Sequence, residues 1–118
     1  LDIRLLVIGN EVAGAMKLEP GKKDFRANIN QNGQAKKIEP PPQWIKLAVD
    51  SAKACNLEIA GVDMIVGKDD IPKIIEVNYS PGFKGLEAAT GINVAQKIIQ
   101  YVSAAFNTRK SIKKNENI

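Results

Sequence analysis

The sequence predicts an α+β domain: an antiparallel sheet with helices packed on one face. Three observations carry that prediction. Two strand-like segments, Ile59-Ala60-Gly61-Val62-Asp63-Met64-Ile65-Val66 and Lys73-Ile74-Ile75-Glu76-Val77-Asn78, are separated by a short turn, Gly67-Lys68-Asp69-Asp70-Ile71-Pro72. Such a pair reads as an antiparallel hairpin. Apolar residues recur at helical spacing before that pair and again after it, which marks two amphipathic helices. The order of elements is strands, helix, strand pair, helix, the pattern of an antiparallel layer rather than of alternating βαβ units.

Each element has a local reason. A first strand runs to about Ile8, and Gly9-Asn10 supplies a tight hairpin turn. Glu11 to Leu18 returns as a second strand, whose small residues Ala13, Gly14 and Ala15 permit close approach. A polar loop over Glu19 to Lys23 leads to the short segment Asp24 to Asn30. Asn30-Gln31-Asn32-Gly33 is a turn signal before a modest strand around Gln34 to Ile38. Pro40-Pro41-Pro42 ends the sheet run and opens a helix over Gln43 to Cys55, with Trp44, Leu47, Ala48 and Ala52 as its core stripe and Asn56 as its stop. After the hairpin comes a loop from Tyr79 to Gly85, then a short helix over Leu86 to Thr90 closed by Gly91. Asn93 is an N-cap for the last helix, whose stripe is Val94, Ala95, Ile98, Ile99 and Val102.

Bulk composition narrows the chemistry. With 118 residues, 44% hydrophobic and 25% charged, the chain has the composition of a soluble globular protein and reads as one domain or part of one, with enough length to bury a core. It has no apolar run long enough to cross a bilayer and no signal-peptide pattern, so no membrane partner is expected. Cys55 is the single cysteine, which excludes an internal disulfide and fits a reducing, cytoplasmic setting. There is no histidine, which removes Ser-His-Asp and Cys-His catalysis and the usual zinc ligand sets. Any chemistry must run on carboxylates, amides, lysine and arginine. The net charge of +4 does not read as nucleic-acid binding. Much of the excess lies in Arg109, Lys110, Lys113 and Lys114, and aromatic residues are too scattered for a base-stacking platform. Residues 1–106 are therefore taken as the folded part and 107–118 as a basic, disordered tail.

The hairpin holds the residues that patterning does not explain. Side chains of a strand alternate between faces, so Glu76 and Asn78 leave the same face, while Asp63 sits on the partner strand. Oxygen ligands converging from rigid strands suit a hard divalent cation held with a nucleotide's phosphates. The plain alternative is an exposed polar pair on the solvent face of the hairpin.

Several strings resemble the ATP-grasp ligases, specifically the RimK-like group that ligates glutamate to protein or peptide carboxylates, ribosomal-protein modification among its tasks. The matching pieces are Asp2-Ile3-Arg4, Asp24-Phe25-Arg26-Ala27-Asn28, Ala60-Gly61-Val62-Asp63 and Glu76-Val77-Asn78-Tyr79-Ser80-Pro81-Gly82, followed by Gly85-Leu86-Glu87 and Thr90-Gly91-Ile92. They run in order from Asp2 to about Tyr101. The resemblance implies that Asp63, Glu76 and Asn78 are metal ligands, with Glu76 bridging two ions. It implies that Arg26-Ala27-Asn28 contacts the nucleotide, Arg26 lying near the phosphates with a catalytic role, and that Asp2 meets the ribose. Ala27 stands where the family more often has Ser, a change that a backbone contact would survive. The implied cofactors are ATP and magnesium (or manganese), two ions in all. The implied partners are an amino-acid amine donor, glutamate, and a protein or peptide carboxylate acceptor.

The chain opens without Met and already in strand-like sequence, so it is read as the C-terminal part of a longer ATP-grasp catalytic unit. As an isolated piece it is expected to be inactive, with open sheet edges that invite a homo-oligomer. A reading of another class is a non-catalytic interaction module that keeps the same sheet. Of the remaining residues, Arg4 is read as a sheet-face charge in preference to a contact with acceptor or phosphate, Trp44 as core, Lys84 as a solvated loop lysine, and the Tyr79 ring as packed.

Overall fold

The computed structural model describes residues 1–18 and 35–116. Strands β1 (Asp2–Ile8), β2 (Glu11–Leu18) and β3 (Ala35–Lys37) precede helix α1 (Pro42–Ala54). Strands β4 (Ile59–Val66) and β5 (Pro72–Asn78) follow, then helices α2 (Lys84–Thr90) and α3 (Val94–Glu116). The five strands form one sheet in the order β3-β2-β1-β4-β5, and every neighbouring pair is antiparallel. The α+β class and the antiparallel hairpin are as the sequence predicts.

The helices, however, do not share one face. Central strand β1 sends Ile3, Leu5 and Val7 to one side, where they meet Trp44, Ala48, Val49 and Ala52 of α1 and Val62 and Met64 of β4. It sends Leu6 and Ile8 to the other side, against Leu86 of α2 and Val94 of α3. Both sides of β1 are apolar over its second half, so two layers are needed to cover them. A strand apolar on both faces is the mark of a sheet covered twice.

Local chemistry explains the element ends. Pro42 sits at the first position of α1, where its missing N–H costs nothing. The helix ends in a left-handed Asn56 (φ 58°), with the Asn56 and Leu57 amides donating back to Lys53 and Ala52 carbonyls. That is the double bond pattern of a Schellman stop. Gly9 takes φ 65° in the β1–β2 turn. The Asn93 side chain accepts from the Gln96 amide at 3.0 Å, the predicted cap of α3.

Two further expectations are corrected at α3. Its backbone stays helical through Glu116, so the start of the basic tail placed at 107 continues the helix. Lysine and arginine near a helix C-terminus complement its dipole, which favours that continuation. The packed stripe is also narrower than predicted. Val94 is buried and Ile98 and Tyr101 pack beside it, whereas Ile99 and Val102 are exposed. Among the described residues no helix is long and apolar enough to cross a membrane.

Candidate functional site

The register of the sheet decides which side chains can meet. Asp63 of β4 lies directly opposite Arg4 of β1 on one side and Glu76 of β5 on the other. Residues opposite each other in an antiparallel ladder share a face. Gly61 is opposite Asn78, two residues along, so Asn78 joins the same face. The structure therefore brings together Arg4, Asp63, Glu76 and Asn78 on the side of the sheet that also carries α2 and α3.

A β-bulge makes this possible. From the turn, Val66, Ile65 and Met64 pair with Pro72, Lys73 and Ile74, and then the register shifts so that Asp63 meets Glu76. An unbroken ladder would have set Ile75 against Asp63 and turned Glu76 and Asn78 toward α1. Side-chain period is two, so a slip of one residue changes the face of everything beyond it. The extra residue, Ile75, stays exposed.

Asp63 is engaged by Arg4 in a two-point fork. Arg4 Nε donates to Oδ1 at 2.7 Å and Nη2 to Oδ2 at 3.0 Å, with the side chains 18% and 20% exposed. Bidentate guanidinium–carboxylate pairing is among the stronger polar contacts available to a protein. The Asp63 hydrogen bond raises the Arg4 pKa above its ordinary value against the lowering by burial, and the charges of Asp63 and Glu76 add to the rise. Arg4 thus lies in the field of both carboxylates, more than the sheet-face charge expected of it.

Neighbouring segments hold the site in place. A Cβ on Gly61 would stand 2.9 Å from Pro81 Cβ, so glycine is what lets the 79–83 loop lie across β4. The Asn78 Oδ1 accepts from the Ser80 amide at 2.9 Å, which aims its side chain and starts that loop. Glu87 accepts from the Val94 amide at 2.9 Å, and Thr90 Oγ1 donates to the Leu86 carbonyl at 2.7 Å. Glu87 of the first resembling string thus fastens α2 to α3, while the Thr90 bond closes the last turn of α2. Lys84 is exposed, as expected. The Tyr79 ring is 78% exposed and does not pack, because it follows the last paired residue of an edge strand.

The donor set fits a hard cation. Two carboxylates and an amide oxygen on one sheet face match the oxygen preference of magnesium. A positive group, the Arg4 guanidinium, already lies at Asp63. Among the described residues no three carboxylate, thiol or imidazole groups form a cluster; this face offers two carboxylates, Asp63 and Glu76, with Asn78 beside them. Asp2, Leu18, Ile65 and Ile75 join Asp63 and Glu76 around a hollow of about 200 Å³. Asp2 is thereby placed beside the proposed ligands, on apolar walls that suit a flat ligand. Arg26, Ala27 and Asn28 lie outside the described residues.

Residues 1–102 match the RimK-like ATP-grasp domain. The chain belongs to that family. It is 45% identical over 101 residues to a protein of Trichodesmium erythraeum named probable alpha-L-glutamate ligase, covering 86% of this chain and 33% of the relative. A Legionella pneumophila protein of the same name is 46% identical over an equal span. The chain thus spans about a third of the length of the relatives it matches. Among solved structures, the ATP-grasp ligase PsnB complexed with a phosphomimetic variant of its minimal precursor, Mg and ADP superposes with a TM-score of 0.70 at 22% identity, over 87% of this chain and 31% of that one. PsnB with minimal precursor alone gives 0.64 at 26% identity, over 85% and 34%. These likenesses show that this sheet and its helices have the ATP-grasp fold.

Sequence reasoning missed three features of this candidate site. The Arg4–Asp63 fork needed the β1–β4 register, and the Gly61–Pro81 crossing needed the loop path. The bulge at Ile75 had one visible signal: Ile74 and Ile75 are adjacent apolar residues, a break in the alternation that Glu76-Val77-Asn78 otherwise keeps.

Proposed function

We propose that this chain supplies the metal-holding part of an ATP-dependent carboxylate–amine ligase, one that joins glutamate's amine to a protein or peptide carboxylate in the cytoplasm. A carboxylate needs activation before an amine can displace its oxygen. In this reading an acceptor carboxylate oxygen bonds to the γ-phosphorus of ATP, the bond to the β-phosphate oxygen breaks, and ADP leaves. The amine nitrogen then bonds to the acyl carbon of the resulting acylphosphate, phosphate departs, and the nitrogen loses a proton. Transfer of this kind asks little covalent chemistry of the protein and much charge neutralisation.

Asp63, Glu76 and Asn78 would hold two magnesium ions, or manganese in their place. Those ions supply charge neutralisation at the phosphate oxygens. Arg26 is assigned to the transferring phosphoryl group, with Ala27 and Asn28 along the nucleotide, and Asp2 to the ribose. Because the chain spans about a third of its relatives, turnover belongs to the longer protein and the segment alone is read as inactive.

One observation supports this reading above the others: Asp63 and Glu76 are register partners on one face, with Asn78 beside them. The test is Mn²⁺ titration of the 118-residue chain, followed by loss of the free-ion electron paramagnetic resonance signal. Glu76→Gln should abolish binding. Equal binding by wild type and variant would end the ligand assignment and leave the sheet as an interaction module.

A further inference from the structure

We propose that Arg4 is a built-in competitor for the cation, holding Asp63 until a metal displaces it. The inference rests on the reading of Asp63 as a metal ligand and goes beyond it, since it concerns a residue outside the ligand set.

The geometry sets the competition. The Arg4 fork engages both Asp63 oxygens, at 2.7 and 3.0 Å. Arg4 and Asp63 are opposite each other on β1 and β4, the third and second strands counted from the β5 edge, so backbone register presents the pair without any loop having to order. Both side chains are about four-fifths covered, which weakens solvent screening. The Glu76 charge also acts on Arg4. A guanidinium therefore stands where two carboxylates would otherwise attract a divalent ion. Like charges at this separation repel, and the ion must either displace the fork or bind more weakly beside it.

An ordinary structural ion pair would show the same distances, so the sign of one measurement has to separate the two. A structural fork aims Asp63, and removing it should loosen the carboxylate and weaken the metal. A competing fork withholds Asp63, and removing it should tighten the metal. The consequence for the enzyme is conditional loading. A polyphosphate offers Arg4 a second set of oxygens suited to its fork, so phosphate arrival frees Asp63 as the ion is needed, and the pair disfavours ion binding without nucleotide.

The experiment is Mn²⁺ titration of the 118-residue chain and four variants, with far-ultraviolet circular dichroism as a check on folding. Arg4→Met should bind Mn²⁺ about tenfold more tightly than wild type, from loss of a nearby positive charge in a partly screened setting. Arg4→Gln, which keeps a donor for Asp63 but no charge, should show a gain of the same sign and stands in if Arg4→Met misfolds. Lys46→Met removes a cation from the far side of α1, where Lys46 pairs with Asp50, and should change nothing. A gain there equal to that of Arg4→Met would mean a net-charge effect and would overturn the inference. Unchanged or weakened binding in folded Arg4→Met and Arg4→Gln overturns it as well. Glu76→Gln separates the two levels: if it abolishes binding while the Arg4 variants show no gain, only the Arg4 inference falls. If it leaves binding intact, the metal reading falls first.

Discussion

The two faces of the sheet are built from alternate residues of the same strands, yet they are organised differently. Toward α1 the surface is uniform: Ile3, Leu5 and Val7 of β1 run into Val62, Met64 and Val66 of β4 without a charge between them. Toward α2 and α3 the surface is divided. Leu6 and Ile8 are buried under Leu86 and Val94, while Asp2 and Arg4, further back on the same strand, face the carboxylates of β4 and β5. Strand β1 thus reads polar, polar, apolar, apolar on one side and apolar throughout on the other. The uniform face secures the strands, and this lets the divided face carry charges that add little to folding. A site needs rigid support, and here the support lies across the sheet from it.

The sharpest way to break that comparison is to damage adjacent residues of β1 that face opposite ways. Leu5 is fully buried, and Leu5→Ala should cost about 3 kcal/mol of unfolding free energy in urea. Arg4→Met keeps the aliphatic stem and leaves Asp63 partly exposed to water, so its cost should be about 1 kcal/mol. Equal losses would mean that the charged end carries the fold, and the division of labour between the faces would have to be abandoned.

A middle-sized effect is expected where a loop crosses the divided face. Gly61→Ala would bring a methyl to 2.9 Å from Pro81 Cβ, and a proline ring cannot swing aside as a flexible chain can. The expected cost is about 1–3 kcal/mol, as for other insertions into filled space. Asn78 should lose its set as well, because its side chain is tied to the Ser80 amide in the same loop. Wild-type stability in Gly61→Ala would show that the loop rests loosely on β4.

The difference between the faces also explains what could be read from sequence. The α1 face was legible because it follows rules of period: alternation in the strands, helical spacing in Trp44, Ala48 and Ala52, and turn chemistry at Gly9 and Asn56. Glu76 and Asn78 could be assigned a common face for the same reason. That Asp63 shares it could not, since the answer turns on the register shift between Ile74 and Glu76, and a bulge is a tertiary choice with a weak local signature. Arg4 was undervalued because its partner is fifty-nine residues away. The second helical layer was missed because Leu6 and Ile8 were seen as strand residues rather than as a surface needing cover. The family resemblance named candidate ligands and left their supporting contacts unnamed. Its string Gly85-Leu86-Glu87 proves to join α2 to α3 through Glu87, and Thr90-Gly91-Ile92 to end α2.

The smallest expected effect lies at the far end of the divided face, where α3 is held by a polar contact as well as by packing. Tyr101 donates its hydroxyl to Glu58 at 2.8 Å, and its ring lies over Gly9, where a Cβ would stand 2.6 Å from it. The hydrogen bond to Glu58 raises the Tyr101 pKa above the ordinary tyrosine value, and Arg109 opposes the rise. A phenol whose folded-state pKa is raised contributes stability in its neutral form. That contribution is complete below the unfolded-state pKa, about 10, and is lost as pH rises through the folded value. The ring is partly buried but the hydrogen bond to Glu58 is exposed, so the effect should appear in titration more than in stability. In a Tyr79→Phe background Tyr101 is the only tyrosine left, and its phenolate absorbance can be followed alone. Adding Glu58→Gln should move the midpoint down toward the ordinary value. An unmoved midpoint would mean that Glu58 does not hold α3, leaving Val94 and Ile98 as the contacts that fasten it.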